Sequence, residues 1–241
     1  MNQLNPSFTT EARFKAQTLA KTFLANVFSW MFLALAITAL VAYLFAANEA
    51  FMQFMFNAET GGMSFGGWIV MLAPLGLVLW MSMGFSKMSV QSLTLIFLLY
   101  SILMGLSLSF IFLAYTSASI AKTFLITSGM FGVMAFVGYT TKTDLSRFGS
   151  LMMMGLVGII IASVVNFFLK SPMMDYIVSF IGVLVFTGLT AYDVQKLKRL
   201  GASALQQGDT LRKVTILGAL TLYLDFINLF LFLLRFFGNR K

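Results

Sequence analysis

Cysteine and histidine are both missing from this chain of 241 residues. Their absence excludes disulfides, thiol chemistry, haem ligation through histidine and the usual zinc ligands in one step. Any cation bound here must use oxygen ligands, which suits hard ions such as calcium or magnesium better than transition metals. Charge is scarce as well. Only 10% of the residues are charged, against roughly a quarter in a soluble domain, and the 8 acids are outnumbered by 16 lysines and arginines. That basic excess does not point to nucleic acid, because the cations stand at the edges of apolar blocks and not in a cluster with interleaved aromatics. Walker loops, nucleotide fingerprints, nucleophile elbows and zinc signatures are also lacking, so the usual enzyme classes find no support.

What is there is hydrocarbon. Mean hydropathy is +0.91, and the apolar residues fall into seven blocks, about 22 to 45, 67 to 86, 91 to 115, 122 to 140, 150 to 169, 175 to 196 and 214 to 236. Each is long enough to cross a ~30 Å hydrocarbon core as a helix. The expected fold is all-α and integral to the lipid bilayer: one seven-helix membrane domain over residues 22–241, preceded by a polar cytoplasmic tail, residues 1–21 (MNQLNPSFTTEARFKAQTLAK). That mixed polar start does not resemble a cleaved signal peptide, so the first span itself is expected to direct insertion. Lysine and arginine concentrate in alternate joints, in the tail, around Lys142 and Arg147, and from Lys196 to Lys213, which favours a cytoplasmic N-terminus. The cations at the C-terminal end oppose this pattern if the seventh block spans, and agree with it if that block re-enters. No cofactor is called for.

Small residues such as Gly105, Gly129, Gly132, Gly138, Gly155 and Gly158 recur within the blocks. They let helix backbones approach closely in lipid, and carry no chemistry by themselves. The acids are more telling. Glu11, Glu49, Glu59, Asp144, Asp175 and Asp209 sit at loop positions, where water reaches them. Asp225 sits in LYLDFINLFLFLLRFF, residues 222–237, about 16 Å from either end of its block. A carboxylate at that depth is costly unless paired, hydrated or protonated.

Gly218, Thr221, Asp225 and Asn228 follow the 3, 4, 3 spacing that stacks side chains on one helix face. The seventh helix therefore carries a narrow polar stripe on an apolar cylinder, and belongs in the middle of a bundle. On the sixth block Ser179, Gly182, Thr190 and Asp193 share a face. Asp193 and Asp225 are thus candidates to meet. Two carboxyls in a poorly hydrated site do not both ionise cheaply, so the pair would share a proton. A shared proton ties the helices, whereas two charges repel and turn four oxygens inward, an arrangement that a hard cation accepts. The spacing is equally compatible with a neutral Asp225 bonded to a helix and an Asp193 that is merely interfacial beside Lys196.

Read together, GLSLSFIFLAYTSASI (105–120), GYTTKTDLS (138–146), TGLTAYDVQKLK (187–198) and LYLDFINLFLFLLRFFG (222–238) resemble the Bax inhibitor-1 family of membrane proteins, its bacterial branch above all. The resemblance runs from the first span to the last. It implies a seven-helix bundle with the last helix central and a pH-responsive calcium leak, calcium being cargo and not a cofactor. The acids of AYD and LYLDF, here Asp193 and Asp225, would form the pH-sensing pair; Thr190, Gly218, Thr221 and Asn228, grouped by their spacing, would be its supporting stripe. Calcium would pass near the two acids, and protons would set their state. Some family members offer an arginine on the second span, but here that span has only Lys87 at its edge, so that contact does not carry over. The resemblance also suggests a prokaryotic inner membrane.

A second function, from the interaction class, is regulation of membrane-protein quality control, since bacterial relatives are linked to a membrane-anchored ATP-dependent protease and the polar tail would suit docking. An intramembrane aspartyl protease needs a base and an acid around a water. Tyr192 and Asp193 supply a YD pair, but the GD at 208–209 lies in a joint. A non-enzymatic role is therefore expected.

Overall fold

The computed structural model describes the backbone of residues 6–57, 62–202, 208–239 and 241, with side chains from residue 17 onward. Among these residues nine helices occur: α1 (Pro6–Ala46), α2 (Glu49–Met55), α3 (Phe65–Gly84), α4 (Val90–Leu108), α5 (Ile111–Ala114), α6 (Ser117–Thr140), α7 (Ser146–Leu169), α8 (Pro172–Ala202) and α9 (Asp209–Phe237). Seven segments are long and apolar enough to cross a membrane, α4 and α5 together making one of them.

The helices outrun the apolar blocks that announce them. Ser64, Ser89 and Thr116 each accept a backbone N–H at an N-cap, and such caps start α3, α4 and α6 at polar residues that hydropathy alone assigns to joints. The polar N-terminal segment extends α1 in the same way. Residues 1–5 lie outside the described residues, but from Pro6 onward the segment is helical and continuous with the first span. The third block is also not one rod, since Ser109 and Phe110 separate α4 from α5.

The core is built around two helices. α9 packs on α1, α4, α6 and α8, while α8 packs on α1, α6, α7 and α9. In α9 the most apolar stretch is 67% buried inside the protein, and in α7 only 6%. The polar stripe thus marks a central helix as expected, and α8 shares the centre with it. α7 lies outside against α8, and α3 lies outside against α4.

Contacts at the two ends settle how the last helix runs. At one end Arg199 pairs with Asp144, and Gln195 bonds the backbone of Thr143 and Leu145. At the other, Arg235 pairs with Asp175, the Asn239 N–H donates to Ser119 Oγ, and the Lys241 N–H donates to the Ala114 carbonyl. α9 is unbroken between these ends. It crosses the whole bundle and does not re-enter, so Arg235 and Lys241 stand at the Asp175 end.

Two close approaches fix the helix spacing. A side chain at Gly105 on α4 would meet the Thr38 carbonyl of α1 at 2.8 Å, and one at Gly138 on α6 would overlap the Ala191 carbonyl of α8. Beside the first crossing the Thr38 hydroxyl donates to the Ser101 carbonyl at 2.9 Å and stands 2.7 Å from the Tyr223 hydroxyl. Tyr223 in turn meets Tyr100 edge to face at 5.5 Å. These groups are shut away from water, so Tyr223→Phe is expected to cost about 1 to 2 kcal/mol by leaving Thr38 short of a partner. Thermal unfolding in detergent measures it. An unchanged midpoint would mean that the hydroxyl pair contributes nothing.

Candidate functional site

The antiparallel packing of α8 on α9 sets the site. Leu197 packs over Gly218, and Phe232 over Gly182, so Asp193 crosses α9 about level with Leu222, one turn short of Asp225. Each Cα–Cβ bond tilts toward the N-terminus of its own helix. In an antiparallel pair the two tilts face each other and close that one-turn offset. The Asp193 and Asp225 carboxyls are thereby brought together as interacting neighbours. Asp225 is 4% exposed and lies about 24 Å along α9 from its first residue, Asp209, and about 18 Å from its last, Phe237.

Nothing else satisfies Asp225. Its Oδ2 is the one buried side-chain oxygen or nitrogen, among the described residues, that has no hydrogen-bond partner. The reason is chemical. Two ionised carboxylates are both acceptors, so a bond between them requires a proton on one. With one proton on the pair, an O–H···O bond ties α8 to α9. With none, two like charges face each other in a site with little water.

The pair opens on a cavity of about 940 Å³ walled by α3, α4 and α5 on one side and by α7, α8 and α9 on the other. Of the expected stripe, Thr221, Asp225 and Asn228 line it together with Asp193. The Asn228 side-chain N–H donates to the Leu224 carbonyl and the Thr221 hydroxyl to the Leu217 carbonyl, which leaves oxygen lone pairs on both. Gly218 instead lies beneath Leu197, and Thr190 is buried with its hydroxyl on the Phe186 carbonyl. These two serve packing and do not line the cavity. The other titratable groups on the cavity wall are Tyr100, Tyr115, Tyr192, Lys196 and Arg235. Among the described residues no three acids gather in one place.

A polar clasp on the α6–α7 turn, which sequence reasoning does not find, holds α8 just beyond Asp193. Gln195 accepts the Leu145 N–H at 2.9 Å, donates to the Thr143 carbonyl at 2.8 Å and accepts from Arg199 at 2.9 Å. It thereby caps α7, whose Leu145 N-cap has no side chain able to do so. Arg199 also pairs with Asp144 at 2.9 Å. The Ser146 hydroxyl and N–H, and then Arg199, hold the Asp144 carboxyl down at about 2. A depressed acid stabilises the fold above its unfolded value of ~4 and loses that contribution as pH falls toward about 2. The clasp therefore stays charged from pH ~5 to ~8. Asp144→Asn is expected to leave unchanged the pH profile of any activity in that range, assayed in liposomes; a moved profile would place a titrating group at the clasp.

The fold and site define a polytopic membrane protein whose two central helices bring a buried pair of carboxyls to the edge of an intramembrane cavity. Residues 20–241 match the family described as inhibitor of apoptosis-promoting Bax1, and the chain belongs to that family. It is 52% identical over 223 residues to the inner membrane protein YbhL of Escherichia coli K12, which covers 92% of this chain and 93% of YbhL. It is 45% identical over 221 residues to the uncharacterized protein RP147 of Rickettsia prowazekii, covering 92% and 91%. A Borreliella burgdorferi protein is 45% identical over 228 residues, covering 94% of this chain and 96% of its own length.

Proposed function

We propose that this protein is a pH-regulated cation leak or exchange path, with calcium the favoured ion, latched by Asp193 and Asp225. It would lie in a bacterial inner membrane with the N-terminus and the Asp144 end facing the cytoplasm. The observation that carries the reading is the facing pair at the cavity edge, with the Asp225 Oδ2 left without a donor. A structural aspartate would satisfy both oxygens from neighbouring donors, and this one does not.

The pair has two states that differ in charge and in helix contact. One proton bridges α8 to α9 and leaves a single negative charge. Without it, both carboxylates are charged at the cavity edge beside Thr221 and Asn228. Calcium takes 6 to 8 oxygens, so the pair supplies part of a shell and water the rest. Two acids without a third suit an ion in passage better than one retained. The charged and titratable neighbours belong to the same argument. Lys196 stands over the Tyr192 ring at 5.8 Å, and both share the cavity wall with the pair and with Tyr100 and Tyr115.

The test is calcium-dye flux in liposomes at about pH 6 and pH 8, the range in which a shared proton would be gained or lost, for the native chain, Asp225→Asn and Asp193→Asn. Native flux is expected to change between the two pH values, and each variant is expected to lose that change. Absent flux, or identical behaviour in all three proteins, would remove the latch.

A further inference from the structure

The large cavity has a second end. From the aspartate pair it runs between α3 and α7, past apolar side chains such as Leu75, Met104, Ile160 and Leu231, to Arg235. α3 packs on α4 and α7 on α8, and no sizeable contact joins α3 to α7, so between these helices the slot opens sideways to lipid. Leu75 and Ile160 on its rim are exposed. Arg235 also lines a separate cavity of about 410 Å³, shared with Asn166, Lys170, Ser171, Asp175 and Tyr176. An apolar slot thus ends at a polar basin, at the end of the bundle where headgroups lie.

The charges of the basin select its guest. Asp175 Oδ1 takes one N–H of Arg235 at 3.0 Å, and a guanidinium has five donors. Lys170 forms no ion pair among the described residues. Among the described residues, two cations against one acid leave a net positive basin. Lys170 is moreover the one non-glycine residue described with a positive φ, 51°, a conformation that a long side chain seldom adopts. That backbone, at the two-residue turn from α7 to α8, seats an uncompensated cation on the wall of the basin.

We propose that slot and basin together form a binding site for one anionic phospholipid of the surrounding bilayer. One acyl chain lies in the slot, and the phosphodiester lies in the basin between Lys170 and Arg235, with the Asn166 and Ser171 polar groups beside it. The chain enters sideways between α3 and α7. Its far end points along the cavity toward Thr221 and Asn228. This site does not depend on whether ions pass.

Native mass spectrometry of the purified protein tests it, with dioleoyl phosphatidylglycerol or dioleoyl phosphatidylcholine added in detergent. One phosphatidylglycerol is expected to stay bound under activation that strips phosphatidylcholine. Lys170→Asn removes the charge with a residue that tolerates this φ and is expected to weaken retention about tenfold, the size of one charge-assisted hydrogen bond. Ile160→Trp, on the exposed rim, fills the slot and is expected to abolish it, while both variants keep the native melting temperature. Equal retention of the two lipids, or no loss in either variant, would mean annular lipid only and would overturn the site. Competition by glycerol phosphate as effective as by the whole lipid would assign the basin to free anions and overturn the slot.

Discussion

Asp225→Leu is expected to yield a protein that is more heat-stable than the native chain and has lost pH-dependent flux. Asp225 is all but shut off from water, and its Oδ2 finds no donor. A buried polar atom without a partner carries its full desolvation cost, whereas an apolar side chain of like volume at the same place is close to neutral or stabilising. Leucine removes that cost and the like-charge contact with Asp193, and packs among Leu224, Leu229 and their neighbours. A gain of about 1 to 3 kcal/mol is the expected size, that of one unsatisfied buried polar atom removed. For a chain of this length that raises the melting temperature by about 2 to 4 °C per kcal/mol. Asp225→Asn keeps a polar group and removes only titration, so it should match the native chain in stability while losing the pH response. The two variants separate function from fold. A melting temperature that falls in Asp225→Leu would show the acid to be a structural hydrogen-bonding group.

Gly138→Val has the largest expected cost. A Cβ at this position overlaps the backbone carbonyl and Cα of Ala191, and backbone has no rotamer with which to step aside. α6 must move away from α8 beside the residue two before Asp193. Overpacking of a well-filled core costs about 1 to 3 kcal/mol, and here the value should reach or exceed the upper figure, because the obstacle is a helix and not a side chain. Unfolding in detergent measures the loss. Gly129→Val is the control, since a Cβ there meets nothing within 4 Å. Equal stability of the two valine variants would contradict the close α6–α8 crossing.

That comparison also shows how far the sequence could be read. The number of spans and the central place of α9 followed from block length and from one polar stripe, because lipid leaves few ways to bury Asp225. Asp193 and Asp225 were visible as candidates to meet, from a polar face on each of two consecutive helices. Which small residues carry contacts was not visible. Gly105, Gly129, Gly132 and Gly138 look alike in sequence, yet only the first and last meet a neighbouring helix, since that depends on where two axes cross. The same holds within the stripe, where spacing grouped Gly218 with Thr221 although Gly218 sits under Leu197. Gln195 went unread because its partners, Thr143 and Leu145, are backbone groups some fifty residues away. A polar residue two places after Asp193 on a central helix was the only hint. The helical start at Pro6 was missed because hydropathy reports lipid contact and not helix length.

The lopsided burial of the bundle has a mechanical side. α7 packs substantially only on α8, and α3 only on α4 and the short α2, whereas α8 and α9 each hold four neighbours. Shifting α7 breaks one interface; shifting α9 breaks four. Changes in bilayer thickness act on spanning helices at fractions of a kcal/mol per Å, which is small against four interfaces and considerable against one. A membrane that thins or thickens therefore works on α3 and α7 first, as shutters on a fixed post, and widens or narrows the gap between them while the aspartates keep their places.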